Sequence, residues 1–243
     1  MILKKLTDGV YYLPYDEETD RPNLVYIEGE KRAMIVDAGN SPAHHRLLLE
    51  GVQEIGGKAP SLCAITHWHW DHTFGMCACD ALTIAHRMTQ AKLLEMENWA
   101  WDHASMRGRL KTGEEILFCH HHMLVEYDDP ETIHVVRADL AFDGEMSIDL
   151  GGRTAKLLHI GGPHSDDSTV VYLPMEKMLF AGDIHSGDYY GLNGGYDCAK
   201  THLLREKLEK IDFELYLHSH LDPMTRSDFF DGEMRAIEEG ELA

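Results

Sequence analysis

Four side chains able to bind a metal crowd the stretch THWHWDHT at residues 66–73: His67, His69, Asp71 and His72. Imidazoles and carboxylates suit zinc, and also iron or manganese. Residues two apart in an extended segment point the same way, so His67 and His69 can grip one ion together. Asp71 and His72 follow where the chain turns into a helix, and can face a second ion. Further along stand His164, in GPHSDDS, Asp183, in LFAGD, and His218 and His220, in LHSHLDP.

The elements that must position these groups are read from pattern. Val10–Leu13, Leu24–Ile27 and Ala33–Val36 are expected strands, the last two joined by a hairpin turn at EGEKR. Ser41 and Pro42 open a helix that runs to the stop at Gly56-Gly57. Leu62–Ile65 is a short strand leading straight into the metal-binding stretch. Residues 89–104 carry helical spacing, and residues 105–134 are expected to hold one or two short helices. Strands are then expected at His134–Arg137, Ser147–Leu150, Ala155–His159, Thr169–Leu173, Met178–Ala181 and Leu215–Leu217. Helices are expected at 199–210 and from about Ser227. Each candidate ligand therefore leaves the C-terminal end of a strand onto a loop, where a layered α/β fold places functional groups.

The motif H-x-H-x-D-H, followed in order by GPHSDDS, LFAGD and LHSHLDP and preceded by MIVDAG, resembles the metallo-β-lactamase-fold hydrolase superfamily, in particular its glyoxalase II and lactonase-like members. The resemblance runs from about Leu24 to Pro223. It implies an α/β fold, a four-layer αββα sandwich with a two-metal site at one edge. Residues 1–243 would form one such domain, with a helical insertion around 100–130. It implies His67, His69 and His164 as ligands of a first metal, Asp71, His72 and His220 as ligands of a second, and Asp183 as the bridging carboxylate. His220 is preferred to His218 because SHLDP aligns better with the family's final histidine turn.

Two divalent ions, zinc first and iron or manganese as alternatives, lower the pKa of a bound water from about 15.7 toward about 7. The expected function is thus a hydrolase using a metal-bridging hydroxide on an ester, thioester, lactone or amide of a small molecule, with Asp71 also orienting the nucleophile or shuttling its proton. With neutral imidazoles the site keeps a charge of about +2, which favours an anionic substrate. A phosphodiesterase on the same metal pair and an iron-loaded redox enzyme are the alternatives. The diiron branch of the family resembles H-x-E-x-D-H, with glutamate where this chain has His69. A β-lactamase is weakly supported, since Asp183 stands where one lactamase class carries a cysteine. A non-catalytic metal-binding regulator is the remaining alternative.

Composition narrows the partners. The formal net charge of −20 and the absence of a Lys/Arg run denser than Arg107–Lys111 argue against nucleic acid and anionic membrane. No window is apolar enough to cross a bilayer, and the N-terminus has no apolar run after its lysines, so a cytoplasmic location is expected. The five cysteines are odd in number and form no C-x-x-C pair, which suits reduced thiols. Cys77 and Cys79 are read as packing or helix-start residues. Asp37 is a candidate to hold a ligand histidine. His185, Tyr189 and Tyr190 are candidate pocket residues, and Trp99–Tyr127 a lid, a substrate wall or a homodimer contact. His44 and His45 are expected in solvent, His120–His122 exposed or at the pocket edge, Trp68 and Trp70 packed behind the ligand loop, Trp99 and Trp101 in core or pocket, and EEGE at 238–241 at a solvated helix end.

Overall fold

The computed structural model describes residues 2–241, which build two stacked sheets. The first holds β1 (Lys4–Thr7), β2 (Val10–Leu13), β3 (Leu24–Glu28), β4 (Ala33–Val36), β5 (Pro60–Ala64), β6 (Leu82–His86) and β7 (Leu140–Phe142), side by side in chain order. The second runs β13-β12-β11-β10-β9-β8, from β8 (Glu145–Asp149), β9 (Thr154–His159), β10 (Thr169–Leu173), β11 (Met178–Gly182), β12 (Leu215–His218) and β13 (Met224–Thr225). Antiparallel meanders build β1–β4 and β8–β11. Parallel pairs need longer crossovers. Helix α1 (Pro42–Glu54) links β4 to β5, and α6 (Cys198–Glu209) links β11 to β12.

Alternation decides which face each side chain buries. Along β3 and β4, Val25, Ile27, Met34 and Val36 point to the second sheet, where Leu157, Val171, Leu173 and Phe180 meet them. Leu24, Tyr26, Ala33 and Ile35 point the other way, into a core closed by Leu48 of α1, Leu93 and Met123. The outer face of the second sheet, with Val170, Leu179 and Tyr216, is covered by Leu204 and Leu208 of α6 and by Phe229 and Met234. Three apolar layers between four structural layers give the αββα sandwich. Among the described residues no helix is long and apolar enough to cross a membrane.

The insertion holds α4 (His103–Thr112) and α5 (Leu117–Glu126), while α3 (Arg87–Met96) and a one-turn helix, α2 (Trp70–Thr73), precede it. The single helix expected over 89–104 is split, because the Asp102 side chain caps α4 by accepting from Ala104 N–H and Ser105 N–H. The strand expected at His134–Arg137 does not form. Gln90 takes the backbone groups of Ala138 that a neighbouring strand would use, at 2.8 and 3.0 Å, and Val135 packs into the core from an irregular segment. β1, β6 and β7 are not expected from the pattern: β1 is a partly exposed edge strand and β7 spans only Leu140–Phe142. After β13, Thr225 and Asp228 form a capping box for a helical tail of α7 (Arg226–Asp228), a π-helical stretch (Phe229–Met234) and α8 (Arg235–Glu238), where EEGE is exposed.

Candidate metal centre

β5 delivers the chain into an extended stretch that ends at His69, the N-cap of α2. Extended geometry aims His67 and His69 together, with His67 Nε2 3.0 Å from His69 Nδ1. His164, on the loop after β9, closes the group: its Nε2 lies 3.2 Å from His67 Nε2 and 2.9 Å from His69 Nδ1. The turn of α2 swings Asp71 and His72 to a second group. There His72 Nε2 stands 3.0 Å from Asp71 Oδ2 and 3.4 Å from Asp183 Oδ2. His220 Nε2 stands 3.1 Å from Asp71 Oδ2 and 3.4 Å from Asp183 Oδ2. Asp183 also comes within 3.8 Å of His164, so its carboxylate stands between the groups. The ligand-type atoms of each group lie within 4.8 Å of one another.

The donor chemistry fits divalent cations. Three imidazole nitrogens face each other at contact distance in the first group. Burial, reinforced by neighbouring imidazoles, holds His67 and His69 well below the usual histidine pKa, and burial lowers His164 too. Neutral rings leave lone pairs to point inward. His164 Nδ1–H donates to Gly187 O at 2.9 Å, which fixes the tautomer with a bare Nε2. In the second group, burial opposes the charged forms, but attraction between the histidines and carboxylates outweighs it. His72 and His220 are raised, and Asp71 and Asp183 lowered. His72 Nε2 and Asp183 Oδ1 are nevertheless buried without a hydrogen-bond partner, which is the environment a cation would complete.

A second layer holds the ligands. Asp37, at the end of β4 with φ +62°, accepts from Thr66 N–H at 2.7 Å and Thr66 Oγ1–H at 2.9 Å, and holds His72 Nδ1 at 2.8 Å. Gly182 ends β11 at φ +58°, and a Cβ there would meet Thr66 Oγ1 at 2.8 Å, so only glycine lets Asp183 approach the ligand loop this closely. Backbone bonds from Thr169 N–H to Thr66 O and from Asn23 N–H to Ser219 O tie the loops of the two sheets together.

His220 rather than His218 supplies the atom in the second group. Both nitrogens of His218 are already engaged: Nδ1 accepts from His220 N–H at 3.1 Å, and Nε2 meets Ser186 Oγ at 3.1 Å. A cleft of about 350 Å³ opens onto the ligands, lined by Asp20, Ile116, Phe118, Cys119, Tyr189 and Tyr190. Its wall thus comes from the helical insertion, from the loop after Asp183 and from the β2–β3 connection that carries Asp20. Sequence reasoning missed Asp20, which burial and nearby Asp71 raise to about 8. It sits in an irregular bridge between Asp16 and Arg21, with no pattern to mark it. Thr66 was also missed, although its place between the strand and the first histidine is a usable signal.

Several expectations need correction. His185 does not line the cleft: its Nδ1 meets Tyr216 Oη at 2.7 Å, in the packing behind His218. His44 and His45 are buried rather than solvated, because α1 lies against the 3-10 turn Phe74–Ala78. Trp70 packs behind the loop with Phe74, but Trp68 is half-buried and lines a second cleft. That cleft, about 380 Å³, is bounded by Trp68, Met88, Lys92 and Lys200, and shares His69, His164 and Tyr190 with the first. Trp99 and Trp101 fall on the core side of their expectation: they pack on the Arg109 guanidinium, and Trp99 also carries Lys92 of the second cleft over its ring. His120–His122 lie on α5 as an exposed to half-buried stretch, as expected, and join neither ligand group. Cys77 is exposed and Cys79 ends the 3-10 turn, so neither starts a helix.

Comparisons with known proteins agree with this fold. The acyl-coenzyme A thioesterases MBLAC2 of Gallus gallus and Homo sapiens are 25% and 23% identical over 74% of this chain, and the match spans 64% and 65% of their own lengths. Among solved structures, a metallo-beta-lactamase from Pontibacter korlensis superposes with a TM-score of 0.68 at 18% identity, covering 98% of this chain and 96% of that one. A metallo-beta-lactamase family protein from Thermus thermophilus superposes with a TM-score of 0.67 at 20% identity, covering 98% and 80%. The metallo-beta-lactamase superfamily model matches residues 19–220, a span that contains every histidine and aspartate of both ligand groups, and the chain belongs to that superfamily.

Proposed function

We propose that this metal-dependent hydrolase cleaves thioesters of small, anionic molecules with two zinc ions. The observation that carries the reading is the meeting of two clefts at His69, His164 and Tyr190, beside the buried ligand groups. A thioester has two arms flanking its scissile bond, and two clefts can hold one arm each. The name of the MBLAC2 relatives, acyl-coenzyme A thioesterase, supports the same chemistry.

In this reading His67, His69 and His164 would hold one ion and Asp71, His72 and His220 the other, with the Asp183 carboxylate between the two groups. Divalent ions there would supply Lewis acidity and make water nucleophilic near neutral pH. Asp71, which lines the first cleft, orients the attacking water and takes its proton. Ile116 and Phe118 give the acyl arm an apolar wall and keep bulk water out. Lys92 and Lys200 face the thiol-bearing arm. Their ion pairs, with Glu95 at 3.1 Å and Asp166 at 2.7 Å, are solvent-exposed and cheap to exchange for an anionic substrate.

The test is elemental analysis of the purified protein together with a panel of acyl thioesters, p-nitrophenyl esters, lactones, bis-p-nitrophenyl phosphate and nitrocefin. About two zinc per chain and the highest kcat/KM on thioesters are expected, lost in Asp183→Ala. Turnover of the phosphodiester alone, or of no substrate in an Asp183-dependent way, would sink the proposal.

A further inference from the structure

Tyr190 borders both clefts, and its neighbours place it between them. Its ring lies 5.0 Å from the Trp68 ring, in the second cleft, and 5.2 Å from the His69 ring, which both clefts share. Its hydroxyl reaches the other way, 3.8 Å from Cys119 Sγ in the first cleft, and donates to the buried carboxyl of Glu115 at 3.0 Å. The backbone beneath it is fixed as well. Asp188 Oδ1 accepts from Tyr190 N–H at 3.1 Å and from Gly191 N–H at 2.7 Å. Asp188 N–H donates to Gly195 O at 2.9 Å, and Asp188 O accepts from Gly194 N–H at 2.8 Å. A Cβ on Gly187 would lie 2.0 Å from Gly194 O, so glycine lets the two sides of this loop touch. Gly187 O also holds His164, which ties the loop to the ligands.

We propose that Tyr190 is a specificity-determining residue: its ring divides the two clefts and excludes acyl groups branched at the carbon next to the scissile carbonyl. This rests on the hydrolase reading above. A substrate that occupies both clefts crosses where they meet, at His69, His164 and Tyr190. Two sides of that crossing are imidazoles whose nitrogens lie 2.9 Å apart, and the third is the tyrosine ring. The carbonyl carbon must come to the ligand groups to be attacked. The acyl α-carbon is one bond from it, whereas the first carbon of the thiol is two bonds away, through sulfur. Bulk on the acyl α-carbon therefore meets the ring first. A ring pinned at its hydroxyl and packed against two other rings yields little to such bulk. An unbranched chain slips past and continues along Ile116 and Phe118.

The experiment compares propionyl with pivaloyl substrates on the full chain as purified, as thioesters of 3-mercaptopropionate and as p-nitrophenyl esters. Branching slows acyl transfer in water too. The quantity read is therefore the pivaloyl-to-propionyl ratio of kcat/KM in each variant, divided by the wild-type ratio. Tyr190→Ala should raise it about tenfold, the scale on which an apolar pocket senses a methyl-sized clash. Tyr190→Leu keeps part of the volume and should raise it about threefold. Tyr190→Phe keeps the ring and loses the bond to Glu115, and should leave the ratio within about twofold of wild type. An unmoved ratio in both truncations, or as large a rise in Tyr190→Phe, overturns the proposal while the hydrolase reading stands. Turnover of the esters alone overturns the thioester reading and still tests Tyr190. No Asp183-dependent turnover of any of these compounds overturns both. Where Tyr190→Ala fails to fold, the contrast between Tyr190→Leu and Tyr190→Phe decides.

Discussion

The two ligand groups share one loop but are held together by different physics. His67, His69 and His164 form a buried tripod whose uncharged imidazole nitrogens meet at 2.9–3.2 Å, so their lone pairs crowd one another. Asp71, His72, Asp183 and His220 form a charged group in which imidazolium and carboxylate can compensate each other. It is also the more open one, since the His220 side chain keeps 25% of its exposure at the cleft. The tripod therefore depends on a cation for its cohesion, whereas the carboxylate group can persist without one by binding protons. Both groups are held from outside: Asp37 clamps His72, and Thr66 clamps Asp37, while Thr66 Oγ1 meets His67 Nδ1 at 3.1 Å and Gly187 O holds His164.

Asp183 offers the largest lever, because its carboxylate approaches both groups. Asp183→Ala should lower kcat about 10³-fold, near 4 kcal/mol of barrier, and weaken both metals, as read by thioester turnover and elemental analysis. Next come His69→Ala and His220→Ala, each about 10²-fold down. His69→Ala should lose the tripod metal and keep the other, and His220→Ala the reverse. Equal loss of both metals in both variants would show that the groups are one unit. Asp37→Asn should weaken metal affinity at the carboxylate group by about 10- to 100-fold, with the tripod unchanged. Metal titration by competition with a chromogenic chelator separates the two sites.

How much of this is legible in the sequence depends on how each contact is made. The seven candidate donors are legible because each follows a strand with a clear apolar pattern, and β5 of the first sheet and β9, β11 and β12 of the second deliver their C-terminal loops to a shared edge. His220 is separable from His218 by its motif, and the reason appears only in three dimensions, where Ser186 and His220 N–H occupy His218. Asp37 is legible as the polar end of MIVDAG. Asp20 and the buried His44 and His45 are not. Each depends on α1, the 3-10 turn or an irregular bridge folding back on the sheet, which no local period records. The split between α3 and α4 was open to inspection, since Asp102 is a good N-cap lying inside an apparently continuous helical pattern.

The smallest expected effect lies in the cleft wall, outside both groups, and checks that the charge pattern of the ligands is local to them. Glu115 is buried, and burial raises it to about 6 although Tyr190 Oη–H donates to it at 3.0 Å and Ile116 N–H at 2.9 Å. A raised carboxyl pKa means that the folded state binds the proton more tightly than the unfolded chain. Its stabilising contribution is therefore full below pH 4.5, the ordinary value, and is lost as pH rises through about 6. The loss amounts to about 2 kcal/mol. Glu115→Gln keeps an acceptor for Tyr190 and removes the titration. Denaturant unfolding of chelator-treated wild type and variant on both sides of this window should show the variant gaining about 2 kcal/mol relative to wild type on the neutral side. Metal loss cannot mimic this, since both proteins start without metal and share every ligand. A constant difference across the window would mean that Glu115 is solvated in the working protein, and that the insertion packs more loosely on Tyr190 than its contacts imply.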